Sequence, residues 1–85
     1  MNNINIIYFV DTKDNTKSSI CAVPNNKDLR DADIVANLTE ELKSIFARNS
    51  LTTIHAHSIA LSIARHKYAN MGEYEFGVEE VPMFE

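Results

Sequence analysis

Between Asp31 and Arg48 the apolar residues Ile34, Val35, Leu38, Leu42, Ile45 and Phe46 recur every three or four positions, while Asp33, Asn37, Glu40, Glu41 and Ser44 take the other side. That period belongs to an amphipathic α-helix, and it constrains the rest of the chain because one apolar stripe must be buried against a second layer. Asp28 or Asp31 is placed to accept the first free amide hydrogens. The acids near the start suit the positive helix end, and Arg48 suits the negative one.

The segments on either side supply that layer. Ile4 to Asp11 puts Ile4, Ile6, Tyr8 and Val10 on one strand face and Ile7 and Phe9 on the other, the pattern of a central strand covered on both sides. Asp11 to Lys17 is polar, with Asp14 and Asn15 tolerant of turn geometry, and Ser18 to Val23 resumes a β-competent run, so the two read as a hairpin. Pro24 lacks an amide hydrogen and ends the ladder, and Asn25 to Lys27 form a loop.

After the first helix, the short link Asn49 to Thr53 makes a second helix an antiparallel neighbour. That helix is expected over about Leu51 to Met71, closed by Gly72 in the left-handed conformation. Its spacing groups Ile54, Ala56, His57, Ala60, Leu61, Ala64, Tyr68 and Met71 on one broad side, with Ala56, Ala60 and Ala64 as a ridge that admits close packing. An alternative places Leu51 to His57 in a strand and starts the helix near Ser58. Finally Tyr74, Phe76 and Val78 alternate with Glu73, Glu75 and Glu79, as in a strand with one wet face; Gly77 marks a bulge and Pro82 ends the ladder.

These elements give one α+β domain over residues 1–85, in ββααβ order: a three-stranded sheet with an antiparallel helix pair packed on one face. The last strand is expected beside the first and parallel to it, through a right-handed crossover. With helices on one face only, Ile7, Phe9, Cys21 and Val23 would emerge on the other as an apolar patch, a surface for homodimer formation.

Composition narrows function more than motifs do. Twelve carboxylates against eight Lys and Arg give a net charge of -4, which repels nucleic-acid phosphates and anionic membranes at long range. Residues 51–85 carry only Arg65 and Lys67 against five glutamates, so the excess is expected in the C-terminal third. Cys21 is the single cysteine, which excludes an internal disulfide and fits a reducing cytoplasm. No run approaches the ~20 apolar residues of a membrane-spanning helix.

Two glycines cannot build a glycine-rich phosphate cradle, no G-x-S-x-G elbow occurs, and no cofactor or metal is assigned. His55 and His57 point the same way only on a strand; on a helix they diverge by about 200 degrees, at ~100 degrees per residue. A small metal-assisted hydrolase using His55 and His57 is therefore an alternative, as is a DNA-binding regulator using Arg65 and Lys67. The leading expectation is a non-enzymatic, cytoplasmic protein-binding module, a small acidic inhibitor or modulator of a larger basic partner such as a nucleic-acid-handling or defence enzyme. Its binding residues are expected in the acidic, aromatic end of the chain: Glu73, Glu75, Phe76, Glu79, Glu80, Phe84 and Glu85.

Overall fold

Ile7 and Phe9 point toward the helices and Tyr8 points away, and this phase of the first strand sets the architecture. The computed structural model describes residues 3–82. They form β1 (Asn3–Asp11), β2 (Thr16–Pro24), α1 (Ala32–Arg48), α2 (Ala56–Ala64), β3 (Ala69–Met71) and β4 (Tyr74–Pro82). The sheet has four strands in the order β2-β1-β4-β3, and every neighbouring pair is antiparallel. An α+β fold with two helices is as the sequence suggests; the extra strand and the direction of the last one are not.

Both differences come from where α2 stops. Its buried residues are Ala56, Ile59, Ala60, Ile63 and Ala64. The next inward positions would fall at Lys67 and Tyr68, and a lysine cannot be buried there unpaired, so the helix has nothing further to cover. The helix closes at Arg65, and the left-handed residue that ends it is His66, at φ 57, not Gly72. The amide of Lys67 donates to the carbonyl of Ser62 at 3.1 Å and that of His66 to Ile63 at 2.9 Å, the paired bonds of a Schellman ending. α1 ends in the same way, with Ser50 at φ 57 and Leu51 donating to Phe46 at 2.8 Å.

Ala69 to Met71 is thereby free to pair with Phe76 to Tyr74. Gly72, at φ 59, and Glu73 form the two-residue connection, with glycine where a II′ hairpin turn requires it. This additional reversal makes β4 antiparallel to β1, from Asn3 opposite Pro82 to Asp11 opposite Tyr74. There is consequently no parallel crossover. Residues Leu51 to His55 are neither strand nor helix, and Ile54 there is 78% exposed instead of joining the buried side of α2.

Both helices lie on one face of the sheet. Val35, Leu38, Leu42 and Phe46 of α1 and the small ridge of α2 pack over Ile7, Val23, Ala69 and Phe76. Phe9, Cys21, Ile34, Ile45 and Val78 are partly buried at the margin of this core. The patch formed by Ile7, Phe9, Cys21 and Val23 therefore faces the helices and is not the uncovered one. A bulge contributes: Ile7 pairs with Cys21 but Tyr8 with Ser19, leaving Ile20 as an extra residue on β2 that also packs against the core. Gly77 is no bulge, since the β1–β4 register runs unbroken through Tyr8 and Gly77.

Asp31 caps α1, accepting a hydrogen bond from the amide of Asp33 at 2.9 Å. Thr39 is buried inside α1 with its hydroxyl satisfied, donating to the carbonyl of Val35 at 2.8 Å. Among the described residues no helix is long and apolar enough to cross a membrane.

Two substitutions test this account in urea unfolding. His66→Gly removes the steric cost of a left-handed non-glycine residue and should raise stability by about 1 kcal/mol, whereas Leu42→Ala, at a fully buried position, should lower it by about 2–5 kcal/mol. A destabilising His66→Gly would contradict the placement of the helix end.

Candidate functional site

The helix-free face of the sheet is built by the residues alternating with the core set. Along β1 these are Ile4, Ile6, Tyr8 and Val10. Across from them stand Pro24, Ala22, Ser19 and Lys17 on β2, and Val81, Glu79, Gly77 and Glu75 on β4. Among the described residues no helix covers this face, yet Tyr8 is only 6% exposed.

Tyr8 is buried by side chains lying flat on the sheet. Tyr68, just before β3, reaches over β4, its ring edge-on to Tyr8 at 6.3 Å between centroids, and the two hydroxyls share a hydrogen bond at 2.5 Å. Gly77 makes this approach possible: a Cβ there would lie 2.5 and 2.9 Å from carbons of the Tyr68 ring and 3.0 Å from the Tyr8 hydroxyl. From the other side the Lys17 ammonium sits 4.2 Å from the Tyr8 ring centroid and pairs with Glu79. Burial, the Tyr68 hydrogen bond and the charges of Glu79 and Glu75 push the Tyr8 phenol up to about 12.

Around this cluster the face is apolar and half open. Ile4, Ile6, Val10 and Val81 are half-buried, and Tyr68 is 69% exposed despite its contacts. Such a surface, with aromatic and aliphatic area beside a few charged groups, is the composition of a protein-docking patch.

The fold separates the residues expected to form one binding surface. Glu75 and Glu79 lie on the helix-free face. Glu73 sits in the β3–β4 turn, paired with Lys13 at 3.1 Å, while its carbonyl accepts from both the amide and the hydroxyl of Thr12 at 2.8 Å. Glu80 accepts a hydrogen bond from Asn3 Nδ2 at 2.6 Å. Phe76 is corrected outright: at 1% exposure it packs against Phe46 and Phe9 with centroids 6.0 and 6.1 Å away, and so belongs to the core. Phe84 and Glu85 lie outside the described residues.

Charge is redistributed as well. The hairpin of β1 and β2 brings Lys13 and Lys17 beside Glu73 and Glu79, so part of the C-terminal acid excess is paired within the chain. Exposed pairs of this kind contribute little stability, but they leave Glu75 as the acid of the open face without such a pairing among the described residues.

The alternative sites come out dispersed. His55 is the residue before α2 and borders a cleft with Ser58, Ser62 and Asn70, whereas His57 borders another with Arg30, Val35 and Glu40 on the α1 side. Among the described residues no three His, Cys, Asp or Glu side chains gather as metal ligands. Arg65 and Lys67 fall at and beyond the end of α2, not on its surface as the longer helix implied. Burial, with a smaller contribution from Glu41, pushes the Cys21 thiol up, away from a reactive thiolate.

Sequence reasoning missed Tyr8, Lys17, Tyr68 and Gly77 as members of one site. A glycine inside an alternating strand was the available signal, because it marks a bulge or a close approach, and here it is the approach. Comparison with protein-family models, with curated proteins and with solved structures finds no match.

The geometry gives a titration test. Tyr8 has a folded pKa of about 12 against 10.0 for the ordinary phenol. The folded state therefore holds this proton more tightly than the unfolded chain, so its stabilising contribution is complete below pH 10 and is lost as pH rises toward 12. Ultraviolet titration should show Tyr8 ionising late, and Tyr68→Phe should make it ionise earlier. Unchanged late ionisation in Tyr68→Phe would contradict the hydrogen-bonded pair.

Proposed function

We propose that this protein is a non-enzymatic binding module that docks the helix-free face of its sheet on a basic surface of a larger protein. The observation that carries the reading is the half-open apolar row Ile4, Ile6, Val10 and Val81, flanked by the exposed Tyr68 and the carboxylates Glu75 and Glu79. Tyr68 is the anchor. Its ring is held by Tyr8 and the Gly77 gap, so little conformational freedom is lost when a partner covers it. The aliphatic row supplies area and excludes water.

The carboxylates set the sign of the partner. Lys17 is already engaged by Glu79, and the net charge of the chain is -4, so a cationic surface is attracted and an anionic one repelled. A protein with a basic groove fits this chemistry, and nucleic-acid-handling or defence enzymes are the class that carries such grooves. On this reading the module acts by occupying the groove as an inhibitor or modulator. The separation of His55 from His57 into different clefts favours binding over metal-assisted hydrolysis.

Affinity capture of the tagged chain from lysate, at low and at high salt, tests the proposal. A partner retained at low salt and released at high salt should be lost when Glu75 and Glu79 are both reversed to lysine, and weakened by Tyr68→Ser, with far-ultraviolet circular dichroism unchanged in both. Capture that is indifferent to both sets of substitutions would contradict the assignment of this face.

A further inference from the structure

A second surface lies on the opposite side of the sheet, where α1 leaves the outer strand β2 incompletely covered. The cavity there has a volume of about 460 Å³. Its floor is apolar, made by Cys21 and Val23 of β2 and Ile34 and Leu38 of α1. Its rim is acidic: Asp31, Asp33 and Glu41 stand against one cation among the described residues, Lys27. β2 is the end strand in the order β2-β1-β4-β3, so its outer edge has no strand beside it among the described residues.

The spacing along the helix rim specifies what fits. Asp33, Asn37 and Glu41 follow one another at four-residue intervals on one line of α1, each about 6 Å further along the axis. Alternate side chains of an extended chain repeat every ~6.6 Å. An extended segment running beside β2 therefore matches the rim tooth for tooth: a side chain beside Asp33, the one two residues on beside Asn37, and the one two residues further beside Glu41.

We infer that the groove between β2 and α1 binds an extended segment of a partner protein with the pattern basic-x-apolar-x-basic. The outer Lys or Arg residues meet Asp33 and Glu41, and the central apolar side chain enters the pocket over Ile34, Leu38 and Cys21. Backbone pairing to β2 is confined to its last residues, because the bulge at Ile20 bends the strand on one side and Pro24 offers no amide on the other. The upward shift of the Cys21 thiol by burial and by Glu41 agrees with that carboxylate lying over the groove. This site is independent of the helix-free face and does not rest on its role.

The test is a titration of the isotopically labelled full chain, followed by backbone amide resonances, with the acetylated and amidated peptide Ser-Lys-Thr-Val-Thr-Lys-Ser. Saturable shifts confined to Cys21–Val23 and the first half of α1 are expected. Affinity should fall about tenfold or more in the Asp33→Lys/Glu41→Lys double variant, through loss and reversal of two ion pairs, and should be unchanged in Glu75→Lys. The same peptide with both lysines replaced by glutamate should not bind. Shifts that fail to saturate, that spread over the carboxylates generally, or that persist in the double variant would overturn the inference. So would the same shifts appearing on raising the protein concentration alone, which would assign the groove to a second copy of the chain.

Discussion

The shared core of Ile7 and Phe9 with Phe46, Phe76, Leu42 and Ile63 is the packing on which the other features depend, because β1 carries a long paired strand on each side, β2 along Ile4–Asp11 and β4 along Asn3–Asp11. Burying these inward residues fixes the phase of β1, since a slip by one position would turn Tyr8 toward the helices and expose Ile7. The phase of β1 then dictates that of β2 and β4 through their registers. Small residues on α2 complete the arrangement: Ala56, Ala60 and Ala64 let it approach α1 closely enough for both helices to share one sheet face.

The opposite face is the physical consequence. A sheet covered on one side must protect its other side with its own side chains, and this one does so through Tyr8, Tyr68, Lys17 and Glu79. Gly77 leaves the space in which Tyr68 lies. The cover is incomplete, and a half-exposed apolar row remains alongside. Stability and recognition therefore draw on the same residues: the bond that buries Tyr8 also holds Tyr68 in position as an anchor.

Much of this was legible in the sequence where periodicity and capping agreed. α1, its cap at Asp28 or Asp31 (Asp31 in the structure), the β1–β2 hairpin and the Ala56, Ala60, Ala64 ridge each rest on a local pattern that the tertiary structure reinforces. The end of α2 was not legible from its glycine, because a histidine took the left-handed position; the lysine interrupting the apolar period at 67 was the better signal. With that boundary misplaced, β3 was hidden and the direction of β4 was inverted. The acidic end of the chain was visible as a composition, but composition does not show that Phe76 turns inward or that Lys13 and Lys17 lie beside Glu73 and Glu79. Those facts arise from β1–β4 pairing and its ion pairs, between residues about sixty or more positions apart, which no local pattern encodes.

The antiparallel pairing of β1 with β4 carries both the core and the open face, and cross-strand nuclear Overhauser contacts in solution test it most directly. The structure requires Ile6 beside Glu79, Tyr8 beside Gly77 and Val10 beside Glu75, so that position rises on one strand as it falls on the other. Contacts in which both strands advance together would mean a parallel pairing. That result would dissolve the tyrosine cluster and the docking face with it.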